Sequence, residues 1–525
     1  MRAACGAGGV ELAPEGRAAG AGPGAGTGAG APGGEAWLER AATLARRVPP
    51  RGGALRGCLR GCFGRGPAGG AVPPPPVGSA LLEPLSSGAA AVPLQAVVGA
   101  SVEPLSGGEG AITVALVLCE KPPPADHDPD PPPRPELFQL RLVGDLSTCQ
   151  TWVAALQAAL RANPARPRRC AVLVGRRSGT GKSEAAFEKA RAIFRMAECV
   201  ADEVPIEGSV RLTARRVARE HLSAIQVARR NPGAPRAGGW DALVVVGGDG
   251  ILSEAAEGVL EIFEEAGVGS GGGGGGTLPL AVIPAGSTNA VSCGLMMPAL
   301  LGQAPRLAAA SVCLGHTRGL DVVRLETESG GVARSISFAN MGFIADTAEK
   351  QDRLKWLGKA AQDIAGCLTC LQGRSYSARV HYQRGSGSAW EVVEGDFMVV
   401  GAALETRALN APAGLVLGER VPGTTGLVLV RKTHRLNFLR FLIAVNRGRG
   451  GQAKQRHVQT VSGVTRFRVE AGSDRAAWKS DGDALGGAAG PRVVEGRLQA
   501  AAVPICCFDP ELAAPDRLPA PLSPP

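Results

Sequence analysis

Val244-Val245-Val246-Gly247-Gly248-Asp249-Gly250 is followed two residues on by Ser253 and Glu254. Three β-branched residues read as a buried strand, and three glycines around one carboxylate let backbone come close to a ligand. The helix expected over Ser253 to Ala266 points its free N–H groups and the positive end of its dipole at the same place, which suits phosphate. Two tasks are open to Asp249: accepting a proton from an attacking hydroxyl, or holding Mg²⁺. A plain Gly-Asp-Gly turn is the bland alternative.

Working outward, strand and helix patterns alternate. Ala171 to Val174 and Ala242 to Val246 read as strands, with helices at Ser183 to Ala197 and Val210 to Arg230. A further strand at Leu280 to Ile283 follows a Ser/Gly linker, Ser270 to Gly276. This alternation predicts a parallel α/β sheet. The last strand runs into Ile283-Pro284-Ala285-Gly286-Ser287-Thr288-Asn289, where Gly286 permits tight approach and the next three residues offer donors for phosphate oxygens or a helix cap. The first strand runs into Gly175-Arg176-Arg177-Ser178-Gly179-Thr180-Gly181-Lys182-Ser183. This fails the P-loop pattern because Arg176 stands five before Gly181 where glycine is required. A glycine-rich turn with cationic neighbours still suits phosphate.

The whole chain has 525 residues, 75 of them Gly and 40 Pro. Twelve glycines fall in the first 35 residues without any hydrophobic period, so residues 1–36 are expected to be a disordered leader. Its arginines leave a transit peptide as an alternative. The rest is 45% hydrophobic on the whole-chain count, which excludes fibrous and wholly disordered classes. No apolar run is long enough to span a membrane and no secretory signal is evident, so a cytoplasmic chain is expected, associated with membranes only peripherally. Thirteen scattered cysteines fit a reducing compartment. Lone Cys367-x-x-Cys370 reads as packing rather than zinc or redox chemistry.

Net charge is +10, and residues 161–230 alone carry 16 Lys and Arg against 7 Asp and Glu, so an anion is expected there. Only Phe187 and Phe194 could stack on bases in that stretch and no nucleic-acid motif appears, so nucleotide phosphates or an anionic membrane surface fit better than nucleic acid. Residues 37–162 read as short strands, including Ala111 to Cys119 and Leu137 to Val143, separated by a proline-rich insert. They close on a helix capped at Asp145 and Ser147 and bearing Trp152, Leu156 and Leu160. This resembles a pleckstrin-homology-like domain; an irregular extension packed on the next domain is the alternative. Residues 163–307 form the expected α/β lobe and 308–510 an antiparallel β-rich lobe, with helices near Leu354 to Leu371 and Asn437 to Asn446. Residues 511–525 are a tail.

The loops together resemble the catalytic domain of the diacylglycerol kinase and sphingolipid kinase superfamily. Gly342-Phe343-Ile344-Ala345-Asp346, with Arg353, Lys355, Trp356-Leu357-Gly358 and Asp363, is similar to the lipid-recognition segment of sphingosine and ceramide kinases. Leu427 to Ile443 and Gly286-Ser287-Thr288 are similar to the ceramide kinase family in particular. The resemblance implies an α/β nucleotide-binding lobe, a β-rich lipid-binding lobe, and a kinase using ATP and Mg²⁺. Its acceptor would be the primary hydroxyl of ceramide, or alternatively of a sphingoid base.

It implies Asp249 as general base, with Gly248 and Asp249 also against the lipid. ATP would be held by Gly175, Arg176, Arg177, Ser178, Gly179, Gly181, Lys182, Gly247, Gly248, Gly250, Glu254, Gly286, Ser287, Thr288, Asn289 and Arg353, and by Asp481-Gly482-Asp483, the counterpart of a late Asp-Gly-Glu element. Metal would fall to Asp249 and Asp481, and the polar head of the lipid to Asp346, whose alternative role is a helix cap. Gly175-Arg176 replaces the family's Asn-Pro and Asp483 its glutamate, so a catalytically weak lipid-binding scaffold stays open. Residues 431–449 form a basic amphipathic stretch suited to anionic lipid, to a calmodulin-like partner, or to a core helix with solvated arginines.

Overall fold

The computed structural model describes residues 2–6, 9–13, 90–92, 96–120, 134–176, 181–230, 239–268, 277–286, 289–296, 304–354, 356, 361–385, 387–404, 423–447, 455–472, 477–486 and 490–508. Near the start, Arg2–Gly6 and Gly9–Ala13 pair as an antiparallel hairpin that Ala90–Val92 joins. Most of the leader, the proline-rich insert and the tail lie outside the described residues.

An antiparallel sheet of β1 (Val97–Pro104), β2 (Glu109–Glu120) and β3 (Arg134–Asp145) leads into α1 (Leu146–Arg161). Asp145 caps α1 by accepting from the Thr148 amide at 3.0 Å and the Ser147 hydroxyl at 2.6 Å. Trp152, Leu156 and Leu160, four apart, are buried against the sheet as their spacing predicts. Residues 37–89 lie outside the described residues, so the pleckstrin-homology-like reading remains an expectation.

The α/β lobe follows with β4 (Arg169–Val174), α2 (Ser183–Met196), β5 (Val200–Glu203), α3 (Val210–Arg230), β6 (Ala242–Gly247), α4 (Asp249–Glu265) and β7 (Leu280–Pro284). Its strands are all parallel, in spatial order β5-β4-β6-β7. The chain steps from β4 outward to β5 and then crosses back to β6, so strand order reverses between β4 and β6. Open α/β sheets bind ligands outside the carboxyl ends of the strands at such a reversal.

Short helices α5 (Ala290–Met296) and α6 (Ala304–Leu314) lead to the second lobe. It comprises β8 (Thr317–Thr327), β9 (Val332–Ser335), β10 (Phe338–Gly342), α7 (Phe343–Arg353), α8 (Ala361–Gln372), β11 (Tyr376–Arg384), β12 (Glu391–Ala403), β13 (Thr425–Arg431), α9 (Arg435–Arg447), β14 (Val458–Ala471), β15 (Trp478–Ser480), β16 (Asp483–Leu485) and β17 (Val493–Cys506). Its strands pair antiparallel, as expected. The long strands β12 and β14 each pair with β11 along one half and with β13 along the other. The last strand, β17, is antiparallel to β8 and β14 and also parallel to β7 through Leu280 and Ile505, so it joins both lobes. Where one helix was expected near Leu354 to Leu371, two stand: α7 begins earlier, at Phe343, and α8 ends the segment.

The basic stretch has an internal answer. Arg211 and Arg215 on α3 pair with Glu257, Glu261 and Glu265, a stripe on α4. For these two arginines the facing anion is a neighbouring helix. Gly258 makes the crossing close, since a Cβ there would fall 2.4 Å from the Arg211 carbonyl oxygen. Gly258→Ala should consequently lower stability by about 1–3 kcal/mol through overpacking, readable by denaturant unfolding.

Candidate functional site

At the switch point the two glycine loops touch backbone to backbone. A Cβ on Gly286 would lie 2.5 Å from the Gly248 Cα, so neither position has room for a side chain. The parallel register sets Pro284 opposite Gly247, and the Ala285 amide donates to the Gly247 carbonyl at 2.8 Å. Gly248 precedes α4, which places Asp249 in the first helical turn, four residues earlier than the sequence pattern suggested.

Asp249 joins the loops a second time. Its carboxylate accepts from the Ala290 amide at 2.8 Å and the Val291 amide at 3.0 Å, one per oxygen, at the start of α5. Buried Asn289, at φ 53°, closes its own loop by bonding both the amide and the carbonyl of Gly286 at 2.9 Å. Ser287 and Thr288 lie outside the described residues.

The first loop joins the same edge, for the Gly175 amide donates to the Val246 carbonyl at 3.0 Å and buried Ser183 bonds the Gly175 carbonyl. Arg176 turns to Glu184 and Glu203, at 2.8 and 2.6 Å, and these two carboxylates hold its guanidinium above the usual arginine range. Gly181 has φ +67° with open space around it, and Lys182 precedes α2. Residues 177–180 lie outside the described residues.

Asp481-Gly482 forms the two-residue turn of the β15–β16 hairpin, where Ser480 faces Asp483 and both turn residues have positive φ. The Asp481 carboxylate, on a half-buried residue, accepts five hydrogen bonds, from the amides of Ile336, Ser337 and Phe338 and the hydroxyls of Ser253 and Ser335. Burial pushes its pKa up and the donors pull it part of the way back. Asp483 is exposed on β16 and faces Glu254 on α4 closely enough to raise the Glu254 pKa, a smaller effect than the burial of Glu254 itself.

The Asp249 and Asp481 carboxylates are thus engaged by backbone and hydroxyl donors, and among the described residues no three His, Cys, Asp or Glu side chains gather as a metal cluster. Among the described residues, Asp249 and Asp481 so engaged do not by themselves make up a resident Mg²⁺ site. Cys367, exposed, and Cys370, half-buried, are free thiols.

In the second lobe Asp346 is buried in the first turn of α7, whose cap is Gly342; the helix-cap alternative does not apply. The Tyr376 hydroxyl on β11 donates between its two oxygens, at 2.9 and 2.8 Å. Burial holds the Asp346 pKa above the usual carboxylate value against this bond, Lys350 and Arg374. Tyr376 was not anticipated, although it is one of only two tyrosines in the chain. Arg353, exposed at the end of α7, pairs with Glu349 on its own helix. On α9, Phe438 and Phe441 are buried against Met398, Val399, Val428 and Val430, whereas Leu436 and Leu439 face solvent.

Two substitutions separate a carboxylate that organises its neighbours from an exposed one. Asp481→Asn leaves buried donors unanswered and should cost roughly 2–5 kcal/mol, whereas Asp483→Asn on the exposed strand should change stability by less than about 0.5 kcal/mol. Thermal unfolding of both checks this. Gly286→Ala should unfold at lower temperature than Gly181→Ala, because the added methyl meets backbone at the first position and only left-handed strain, about 1 kcal/mol, at the second.

The family model of the diacylglycerol kinase catalytic domain matches residues 169–325. Ceramide kinase of Homo sapiens is 25% identical over 345 residues, 56% of this chain and 60% of that protein. Sphingosine kinase 1 of Homo sapiens is 26% identical over 359 residues, 61% of this chain and 87% of that protein. The chain therefore spans about 60% of the length of the ceramide kinases it matches. A diacylglycerol kinase from Bacillus anthracis superposes with a TM-score of 0.42 at 14% identity, over 65% of this chain and 98% of that one. The chain carries a diacylglycerol kinase catalytic domain, and its sequence is similar to those of ceramide and sphingosine kinases.

Proposed function

We propose that the chain is an ATP-dependent lipid kinase that phosphorylates the primary hydroxyl of a sphingolipid, with ceramide the first acceptor to test and ceramide 1-phosphate the product. The observation that carries this reading is the Gly248–Gly286 junction, with Asp249 held across it at the switch point. Loop amides and the start of α4 would seat the nucleotide phosphates, with Glu254 and Asp483 at the edge of the cleft. Mg²⁺ would arrive with ATP as part of the substrate. The Asp249 carboxylate would take the proton of the lipid hydroxyl as its oxygen forms a bond to the γ-phosphorus and the bond from phosphorus to the leaving ADP oxygen breaks. Arg353, at its position on α7, would enter only as a peripheral charge.

Asp346 with Tyr376 would orient the polar head of the acceptor. A sphingoid base stays open as acceptor because its ammonium would suit this carboxylate. The scaffold reading draws on Arg176, whose pairing with Glu184 and Glu203 withdraws one cation from the first loop. Peripheral membrane contact would use the exposed Leu436 and Leu439 with Arg435 and Arg440. A calmodulin-like partner at 431–449 is less well served, since Phe438 and Phe441 already fill the core. No helix among the described residues is long and apolar enough to cross a membrane.

Purified protein with labelled Mg-ATP and separate vesicles of ceramide, sphingosine and diacylglycerol should label ceramide or sphingosine. Asp249→Asn should lower turnover by about 10²-fold or more while nucleotide still binds. Labelling of neither sphingolipid overturns the assignment, and failure of wild type to bind Mg-ATP favours the scaffold.

Asp346 supplies a pH test. A carboxyl whose folded pKa is raised stabilises the fold below its unfolded pKa and loses that contribution as pH rises through the folded value. Asp346→Asn removes this loss, so the melting temperature of the variant relative to wild type should climb over the range above about pH 4, where the unfolded carboxyl ionises, while lipid turnover falls. A flat difference across that range would show the carboxyl is not held high.

A further inference from the structure

Three arginines stand in one row across three neighbouring strands of the second lobe. Arg497 on β17 is directly opposite Arg324 on β8 and directly opposite Arg466 on β14. Directly opposite side chains start only about 5 Å apart on the same face of the sheet, and like charges so placed repel. Neighbouring carboxylates do not relieve the row evenly. Arg324 takes Glu326 at 2.8 Å, and Arg468, one row along, takes Glu470 and Glu495 at 2.8 and 2.6 Å. Among the described residues neither Arg466 nor Arg497 has a carboxylate within ion-pair distance, and both are exposed.

The row lines a concavity of about 540 Å³ that also includes Trp390 and His381. Gly496, beside Arg497, carries no side chain because the Phe467 ring occupies that place, 2.1 Å from where a Cβ would fall. The Arg466 guanidinium lies over the Trp390 ring at 5.9 Å, which turns it along the wall of the hollow. The volume suits one small ligand, and Glu326 and Glu495 on the same lining disfavour an extended polyanion.

We propose that this face binds a phosphate-monoester dianion at a site separate from the glycine-loop cleft. Guanidinium forks match phosphate oxygens in pairs, and a dianion answers the repulsion that the row otherwise stores. The assignment does not rest on the kinase reading. The phosphate could be borne by a soluble metabolite or by a lipid head group, and the chemistry of the site is the same for both.

The test is calorimetric titration of the full chain with glycerol 3-phosphate, with acetate as control, beside co-sedimentation with phosphatidylcholine vesicles containing or lacking phosphatidic acid. Wild type should bind the phosphate monoester, and the double variant Arg466→Gln/Arg497→Gln should bind at least tenfold more weakly. Binding seen only with phosphatidic acid vesicles, and lost in the double variant, assigns the site to a lipid source. No binding in either arm, or equal binding by the double variant, overturns the proposal.

A second readout separates a ligand site from a structural one. In low-salt buffer free of phosphate, Arg497→Gln should melt higher than wild type because it relieves the row, and glycerol 3-phosphate should raise the melting temperature of wild type alone. A lower melting temperature for Arg497→Gln in that buffer would make the row structural and sink the idea.

Discussion

Gly248 against Gly286 is the contact on which the rest of the structure turns. Parallel strands deliver successive loops to one edge, but the loops can share a ligand only if their backbones close on each other, and here two missing side chains allow it. Pro284, opposite Gly247, has no amide to give, and the next residue, Ala285, supplies the bond instead. Asp249 then fixes α4 to α5 through two amides. A carboxylate held at both oxygens cannot swing away, so its orientation at the loop junction is fixed before any ligand arrives.

Charge follows the same logic of local answers. A chain with a net charge of +10 invites a search for nucleic acid, yet Arg211, Arg215 and Arg219 of its densest basic segment are met by the α4 glutamates across a helix crossing that Gly258 keeps tight. Ion pairs at such a crossing add little stability when exposed, but here Glu261 is mostly covered and the two helices pack against the sheet. In the second lobe the balance is different, for Arg497 stands between two like charges, Arg324 and Arg466.

How much of this could be read beforehand varies with the residue. The strand before Gly247, the bounds of α3 and the capped helix with Trp152 follow directly from apolar period and capping chemistry. Helix α6 does not, because every residue of 304–314 except Arg306 is buried and no polar face marks a period. Helix α7 was missed for another reason: Phe343, Ile344 and Ala345 are consecutive, and the helix starts from Gly342 at φ 96°, which no propensity signals. Asp481 is read from the sequence only as part of a nucleotide motif. Asp-Gly between short strands is a hairpin signal as well as part of a nucleotide motif, and only the neighbours that bring five donors decide what its carboxylate does. Arg176 is similar, since its partner Glu203 comes from a strand too short and polar to be recognised.

The two lobes are not independent bodies joined by a linker. Strand β17 pairs with the second lobe along most of its length and then delivers Ile505, Cys506, Cys507 and Phe508 into the core of the first. The Asp481 turn does the complementary thing, reaching from a β15–β16 hairpin to Ser253 on α4, one helical turn beyond Asp249. Burying a carboxylate there is costly, and it persists because five donors meet it and hold the β9–β10 turn, the hairpin and α4 at a fixed separation. A transfer reaction that must align acceptor, base and phosphate gains more from that fixed separation than from any one added contact, because alignment removes the entropic part of the barrier before the chemistry begins.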